Sequence, residues 1–323
     1  MPVQYSKLFL SGLYRQLYTI RVFETRCVQL YRQGFIRGYF HPYLGEEAIA
    51  VGVCAALEPQ DYLTSTHRGH GHCIARGADL RRMTAEITGK QTGYCKGRGG
   101  SMHIADVSKG NLGANGIVGG STAIGVGAAL SAKLQGRDSV CVVFTSDGGV
   151  MNGSFGESLN LAAAWDLPVV FVVENNQYAV STTVQEVSRE PQLYKRAAGY
   201  GVEARRIDGN HVLEVYETAS EYVRRCRDGK GPLVIEAVTY RQGGHHVNDP
   251  GTYMPEEQKE HYRKIDPCRR GRQFLMELGG ASNEEVAAIE AEVEQAMEEA
   301  VVFARESPGM DVQEFLQETR NYS

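Results

Sequence analysis

Polar side chains of the kind that bind metal ions follow two buried, strand-like runs in the middle of the sequence. Residues 139–145 form a short apolar run rich in β-branched residues, and Asp147 follows it. Residues 169–173 form a second run, which leads to Asn176. The stretch 154–165 between them has a helical composition, which predicts a strand–helix–strand unit of a parallel sheet. The carboxyl ends of such strands meet at one edge, where ligands bind, so we expect Asp147 and Asn176 to face one site.

The chemistry of this pair points to a hard cation. A carboxylate and an amide oxygen suit Mg²⁺, which keeps phosphate or water oxygens as its other ligands. Gly148 and Gly149 would let the backbone approach a diphosphate, and the next helix would direct its N-terminal amides there. Each motif alone is an ordinary turn sequence. Their placement at two successive strand ends favours a magnesium–diphosphate site over two unrelated turns.

Other classes of protein are disfavoured by composition and by missing motifs. The GxxxxGK[ST] phosphate loop is absent, and residues 125–130 lack the third glycine of a dinucleotide fingerprint. A net charge of −5 disfavours sequence-independent binding of nucleic acid. The seven cysteines form no CxxC pair, and no apolar run reaches the roughly 18 residues of a membrane span. Since the N-terminus also lacks a secretion signal, we expect a cytoplasmic protein with no membrane segment.

Hydrophobic periodicity predicts an α/β fold with a parallel sheet flanked by helices. Apolar residues at helical spacing predict an N-terminal helix over about 6–34. An α/β core would cover about 40–270, with a third strand at 232–240. Residues 271–323 would form a C-terminal helical segment, in which Ser282 and Glu285 form a capping box. We expect one domain over 1–323, with residues 61–130 mainly in loops.

The segments 146–148 and 174–178, read together, resemble the thiamine diphosphate motif, which usually begins Gly-Asp-Gly and ends Asn-Asn. Four further segments are similar to α subunits of thiamine-diphosphate-dependent 2-oxo acid dehydrogenases, the family of the pyruvate, branched-chain 2-oxo acid and acetoin enzymes. These segments are 43–48 (YLGEEA), 66–71 (THRGHG), 96–103 (KGRGGSMH) and 115–119 (NGIVG). The resemblance covers about residues 15–270. It implies the thiamine-diphosphate-binding fold, with thiamine diphosphate and Mg²⁺ as cofactors.

The resemblance also implies a role for individual residues. Asp147, Asn176 and the carbonyl of Tyr178 would hold Mg²⁺. His41 and His245 would be catalytic and would also contact the cofactor, since histidine can exchange protons near neutral pH. The other implied cofactor contacts are His67, Arg68, Gly148 and Gly149 at the diphosphate, Gly116 and Val118 at the aminopyrimidine ring, and the loop residue Arg241.

Several positions depart from the pattern of the family. Ser146 replaces the usual glycine, and Met151 stands where asparagine is common, which here is shifted to Asn152. Gly243 replaces a frequent histidine, and His246 occupies the place of a regulatory serine, so kinase control is not expected there. Segments 65–72 and 101–106 are similar to acetoin enzymes, whereas 245–251 is similar to pyruvate enzymes. The small-molecule substrate therefore stays open between acetoin, pyruvate and other 2-oxo acids.

The resemblance implies a partner chain. The glutamate that activates the aminopyrimidine ring belongs to the β subunit in this family, and no segment here resembles the domain that carries it. We therefore expect an α2β2 heterotetramer, with a lipoyl-bearing acyltransferase downstream, and little cofactor binding by the chain alone. A split transketolase-like enzyme or carboligase is the first alternative. A non-catalytic α-like subunit is the second, and intact Asp147, Asn176, His41 and His245 disfavour it.

Overall fold

A five-stranded parallel sheet lies at the centre of the molecule. The computed structural model describes residues 5–320. Its strands, in chain order, are β1 (Tyr62–Thr64), β2 (Cys141–Ser146), β3 (Val169–Asn175), β4 (Tyr178–Ala179), β5 (Thr182–Thr183), β6 (Glu203–Asp208) and β7 (Leu233–Val238). The parallel sheet has the order β1-β2-β3-β7-β6, and β4 pairs with β5 in a small antiparallel ribbon. The predicted α/β class, with a parallel sheet flanked by helices, is confirmed.

Helices surround the sheet and continue beyond it. They are α1 (Lys7–Arg32), α2 (Glu47–Ala55), α3 (His70–Ala75), α4 (Leu80–Ile87), α5 (Gly120–Leu134), α6 (Gly153–Ala164), α7 (Val184–Val187), α8 (Val212–Arg227), α9 (Glu256–Lys264), α10 (Pro267–Glu277), α11 (Asn283–Glu306) and α12 (Val312–Arg320). The side chain of Ser6 caps α1, which ends at Arg32. Ser282 and Glu285 form the predicted capping box at α11. The capping box was thus a correct sequence signal for the start of α11.

The strands of the sheet bury side chains on both faces. Along β2, Val142 and Phe144 enter one hydrophobic cluster, whereas Cys141 and Val143 enter another. Because successive side chains of a strand point to opposite faces, each face has its own core. This explains why β2 and β3 appear in the sequence as continuous apolar runs.

The sequence prediction missed two features. Residues 61–130 were expected to be mainly loops, and loops do make up more than half of them, but β1, α3, α4 and most of α5 also lie there. Their glycines and histidines interrupt the apolar periodicity that would have revealed them. The strand β6 was also missed, because its sequence EARRID is charged and mostly exposed. It is an edge strand, where charged side chains are usual.

Helix α5 provides a matched pair of glycines for a stability test. A Cβ added to Gly125 would overlap Val143 of β2, whereas one added to Gly127 meets nothing within 4 Å. We expect Gly125→Ala to destabilise the chain by about 1–3 kcal/mol through overpacking. Gly127→Ala should stabilise it by about 0.5–1 kcal/mol, because alanine is the better helix former. Urea midpoints of the two variants would test this, and shifts of equal sign would contradict the packing described.

Helices beyond the sheet hold the glycine-rich segment 96–103 in place. Lys96 forms ion pairs with Glu314 and Glu318 of α12, and Arg98 also pairs with Glu318. In addition, Glu86 of α4 accepts hydrogen bonds from the backbone amides of four residues: Cys95, Gly97, Gly99 and Gly100.

Within residues 5–320, no helix combines the length and the apolar character that crossing a membrane requires.

Candidate functional site

A cavity of about 230 Å³ lies at the carboxyl ends of β2 and β3. It is where a parallel sheet is expected to bind ligands. Eleven of the twelve residues implied by the sequence line it: His41, His67, Arg68, Gly116, Val118, Asp147, Gly148, Asn176, Tyr178, Arg241 and His245. Gly149 lies behind this lining. The sheet therefore brings segments from all parts of the core to one place.

Asp147 presents an unused carboxylate oxygen in this cavity. Its Oδ1 accepts a hydrogen bond from the backbone N of Gly148 at 2.9 Å, whereas its Oδ2 is buried and has no hydrogen-bond partner among residues 5–320. Burial raises the pKa of Asp147 to about 6. A buried carboxylate without a partner is costly, and a cation would relieve that cost. The donor set fits the metal that the sequence implied.

Asn176 is held beside it by a residue that sequence reasoning missed. The amide nitrogen of Asn176 donates to both carboxylate oxygens of Glu46, at 3.2 and 3.3 Å. Glu46 is buried, lies 3.4 Å from the guanidinium of Arg68, and has its pKa raised by burial to about 8. The oxygen of Asn176 accepts a hydrogen bond from the backbone N of Tyr178 at 3.3 Å and keeps a second lone pair for a metal ion. The adjacent acids of the GEEA segment were the only sequence signal for Glu46.

The turn after Asp147 differs from the sequence expectation. We expected the next helix to direct its first amides at a diphosphate, but α6 starts only at Gly153 and is capped by the side chain of Asn152. A short 3₁₀ turn, Gly149–Met151, follows Asp147 instead. Asn152 also donates to the carbonyl of Val118 at 3.1 Å. Asn152, the shifted asparagine, therefore connects this turn by a hydrogen bond to the segment around Val118, which the resemblance places at the aminopyrimidine ring.

The glycines at this turn are required by the packing of the protein itself. A Cβ on Gly148 would lie 2.9 Å from the Cβ of Ala179, and one on Gly149 would overlap the hydroxyl of Thr145. Ser146, which replaces the usual glycine, accepts a hydrogen bond from the backbone N of Gly149 at 3.0 Å. The serine thus fits the turn and stabilises it.

Two arginines of the cavity hold its walls together. Arg68 donates to the carbonyls of Pro42 at 2.7 Å and His245 at 3.0 Å, so it joins two segments of the lining. Arg241 is 1% exposed and donates to the carbonyls of Tyr178 at 3.1 Å and Val180 at 2.9 Å. Both guanidinium groups donate hydrogen bonds to backbone carbonyls. Each arginine therefore holds segments of the cavity lining in place and also contributes positive charge to the cavity.

Three imidazoles converge on the same cavity. The ring of His41 lies 4.9 Å from those of His67 and His245, between centroids, and the latter two are 5.6 Å apart. Burial and the charge of Arg68 lower the pKa of His41 to about 2, of His67 to about 3 and of His245 to about 4. All three rings are therefore neutral at pH 7 and can accept a hydrogen bond; they are weak bases in the cofactor-free chain, and the negative charge of a diphosphate in the cavity would raise their pKa values.

Two other histidines, His70 and His72, are structural. His72 lies between Ser65 at 2.8 Å and Glu174 at 3.0 Å, and is not exposed. His70 bonds Glu24 at 2.9 Å and Ser101 at 2.9 Å. Both rings have carboxylate partners, which the three rings of the cavity lack.

Comparison with known proteins identifies the family of this chain. Residues 15–313 match the family described as dehydrogenase E1 component. The α subunit of the acetoin:2,6-dichlorophenolindophenol oxidoreductase of Bacillus subtilis is 47% identical over 297 residues, which are 92% of this chain and 89% of the relative. The corresponding subunit of Cupriavidus necator is 44% identical over 93% of this chain and 90% of the relative. The pyruvate dehydrogenase E1 component subunit alpha of Rhizobium meliloti is 38% identical over 93% and 87%.

These matches cover nearly the whole chain at high identity, and they agree with the fold and with the cavity at its sheet edge. Members of this family use thiamine diphosphate with Mg²⁺, and an α subunit implies a β partner. The chain belongs to the dehydrogenase E1 component family, the thiamine-diphosphate-dependent components of acetoin and 2-oxo acid dehydrogenases.

Proposed function

We propose that this α subunit, with its β partner, cleaves acetoin and passes the two-carbon acyl unit to a lipoyl acceptor. Two relatives named for acetoin are 47% and 44% identical to this chain, whereas a relative named for pyruvate is 38% identical to it. The neutral histidine cluster, His41, His67 and His245, is the observation that carries the choice. Cleaving acetoin requires a group that takes the proton of its hydroxyl as the C–C bond breaks. Decarboxylation has no such requirement, since carbon dioxide leaves without that proton.

In the proposed site, Asp147, Asn176 and the carbonyl of Tyr178 hold Mg²⁺. Gly148, with Gly149 behind it, would lie against the diphosphate together with His67 and Arg68, and Gly116 and Val118 would support the aminopyrimidine ring. When bound, thiamine diphosphate supplies the carbanion and the electron sink for the reaction. The protein's own contribution is orientation and proton transfer by His41 and His245, while Arg241 holds the carbonyl of Tyr178 in place.

The proposed reaction balances without a further reactant. Acetoin divides into acetaldehyde and a two-carbon unit, and the hydroxyl proton goes to a histidine of the cluster. Two electrons pass to the disulfide of the lipoyl group, which is reduced as the two-carbon unit becomes an acetyl thioester. An artificial dye can replace the lipoyl group as electron acceptor, with water taking the acetyl unit.

We propose that the β subunit covers one exposed apolar face, formed by Ile117, Ile124, Leu134, Leu161 and Trp165. These side chains of α5, of α6 and of the residues beside them are 37–77% exposed. The face begins at the cavity, because Val118, next to Ile117, lines it. A partner on this face would therefore complete the cofactor site. Large exposed apolar faces are typical of permanent interfaces.

Ile124→Glu is expected to prevent assembly with the β subunit while the chain still folds, because it buries a charge in an apolar interface. Val302→Glu on α11 is the matched control, since Val302 is 52% exposed and Ile124 is 50% exposed. Co-purification and light scattering would measure assembly. Retained assembly of Ile124→Glu, or equal loss in both variants, would contradict the proposed face.

The proposed organisation and location rest on simpler observations. One hydrophobic cluster joins residues of α1, the sheet and α11, which supports a single domain over 1–323. All seven cysteines are free, which supports the reducing environment of the cytoplasm. The proposed working form is an α2β2 heterotetramer.

Dye-reduction assays of the co-produced α and β subunits test the proposed function. We expect reduction of dichlorophenolindophenol with acetoin at a kcat/KM at least about tenfold above that with pyruvate or branched 2-oxo acids. Preference for a 2-oxo acid would overturn the choice of substrate. Condensation of two carbonyl compounds without dye reduction would favour the carboligase or transketolase-like alternative. Cofactor binding without any turnover would favour a non-catalytic subunit.

A further inference from the structure

The three imidazoles at the cavity share a property that their proposed role as proton acceptors does not require. Each of His41, His67 and His245 offers a ring nitrogen to a common space, and these nitrogens lie within 4.8 Å of one another. The Nδ1 of His41 is buried and has no hydrogen-bond partner among residues 5–320. Buried polar atoms are normally paired. The Nδ1 of His245 faces the guanidinium of Arg68 at 3.5 Å, so the unpaired nitrogen of His41 is the observation that points to a ligand.

The spacing of the rings matches that around a tetrahedral metal ion. Zinc–nitrogen bonds of about 2.0–2.1 Å place each ring centroid about 3.2 Å from the metal, so two centroids lie roughly 5 Å apart. The observed separations among His41, His67 and His245 are 4.9, 4.9 and 5.6 Å. Around one ion the nitrogens would lie about 3.3 Å apart, so the rings must approach one another by up to about 1.5 Å from the observed separations of up to 4.8 Å.

We propose that His41, His67 and His245 form a binding site for Zn²⁺, with the fourth coordination position open to the cavity. Imidazole nitrogens suit Zn²⁺ and disfavour Mg²⁺, so this site differs in metal preference from the oxygen ligands around Asp147. An inhibitory role for the ion rests on the function proposed above. The bound ion inhibits the enzyme because it occupies the histidine rings that must accept protons.

The charges around the cluster permit a dication. The cavity lining carries two arginines, Arg68 and Arg241, and three carboxyl groups, Glu46, Asp147 and Glu174. Arg68 lies 3.4 Å from Glu46 but also 3.5 Å from the Nδ1 of His245, so an ion bound by the three rings requires its guanidinium to turn away from His245. Arg241 points its donors at backbone carbonyls. A dication would also favour the ionised form of the nearby carboxyl groups.

Metal titration of the full chain, free of cofactor, tests the site directly. Cobalt(II) serves as a visible probe, and Zn²⁺ affinity is measured by competition with a coloured chelator. The background is Cys95→Ser, because Cys95 is the partly exposed thiol. We expect one ion per chain, four-coordinate cobalt absorption, and loss of at least about tenfold in Zn²⁺ affinity in His67→Gln and in His245→Gln. Loss of a residue that only hydrogen-bonds a metal ligand already costs about 10- to 100-fold in metal affinity.

His261→Gln is the matched control, since His261 lies on the helix α9 away from the cavity. Circular dichroism shows that each variant is folded. Unchanged affinity in both cavity variants, or equal losses in the control, would overturn the proposal and indicate adventitious binding. Mg²⁺ should give no competition at this site.

Inhibition is measured separately on the α/β complex with acetoin and dye. We expect micromolar Zn²⁺ to inhibit, with preincubated thiamine diphosphate and Mg²⁺ slowing the onset. Zinc binding to the chain with no effect on turnover would overturn the inhibitory role alone. An inactive complex whose α chain still binds zinc through the cluster would count against the proposed function, and the site would stand.

Discussion

Asp147→Asn is expected to lower the affinity of the α/β complex for thiamine diphosphate, at saturating Mg²⁺, by about 100- to 1000-fold. The loss corresponds to roughly 3–4 kcal/mol, the range for removing one partner of a buried charge contact. Asparagine keeps the size of the side chain and its contact with the amide of Gly148. It removes the charge on the oxygen that has no protein partner. Calorimetric titration of the cofactor into the complex measures the change.

The same substitution should have the opposite effect on the stability of the cofactor-free chain. Because burial raises the pKa of Asp147 to about 6, its ionised form is disfavoured in the folded protein. Asp147→Asn should therefore raise the thermal midpoint at pH 8. Asp166→Asn, at an exposed turn with positive φ, serves as control and should change neither quantity. Unchanged cofactor affinity in Asp147→Asn would contradict the metal assignment, and a destabilised chain would indicate a structural role.

His245→Gln is expected to lower kcat for acetoin by about 10²- to 10⁴-fold, the usual contribution of a positioned proton acceptor. Thiamine diphosphate affinity should change by less than about tenfold, because the metal ligands and the turn at Gly148 remain. His246→Gln, the neighbouring residue, is the matched control and should keep its kcat. Steady-state assays with calorimetry separate the two effects. Equal loss in both variants, or loss of cofactor binding alone, would contradict a catalytic role for His245.

The low pKa of the cluster has a consequence for stability against acid. The folded-state pKa values of His41, His67 and His245, about 2, 3 and 4, lie below the ordinary value of 6.5. The unfolded chain therefore binds more protons between pH 6.5 and about 4. The contribution of the three histidines to the stability of the cofactor-free chain should fall as the pH decreases through this window, opposed by Asp147 and Glu46, whose pKa values are raised in the folded chain. Ring signals that do not titrate between pH 8 and 5 in NMR spectra would confirm the cause.

The central strands and the cap of α11 could be predicted from sequence because their signals are local. Apolar runs reveal β2 and β3, and the capping box at Ser282 marks the start of α11. The edge strand β6 could not be predicted, since its charged sequence is tolerated only because one side of the strand has no neighbour. Helices α3 to α5 depend on tertiary packing of glycine-rich segments, which the sequence does not reveal.

The positions of the candidate site residues could be predicted more fully than their contacts. Asp147 and Asn176 meet because strand ends of a parallel sheet share an edge, which is a rule of topology. The role of Glu46 depends on the fold, which brings it within 3.4 Å of Arg68. The fold also brings Glu46 to hydrogen-bonding distance of Asn176, which lies 130 residues further along the chain. Likewise, only the packed structure shows that both arginines are held by carbonyls. Long-range contacts of this kind have no local sequence signal.

A crystal of the α/β complex with thiamine diphosphate, grown with Mn²⁺ in place of Mg²⁺, tests the central claim most directly. Anomalous scattering locates the ion independently of any interpretation of the cofactor. We predict one peak per α chain, within about 2.0–2.3 Å of Asp147 Oδ2, the side-chain oxygen of Asn176 and the carbonyl oxygen of Tyr178. A peak elsewhere, or a bound cofactor with no ion at Asp147, would contradict the claim that this chain carries the metal–diphosphate half of the site.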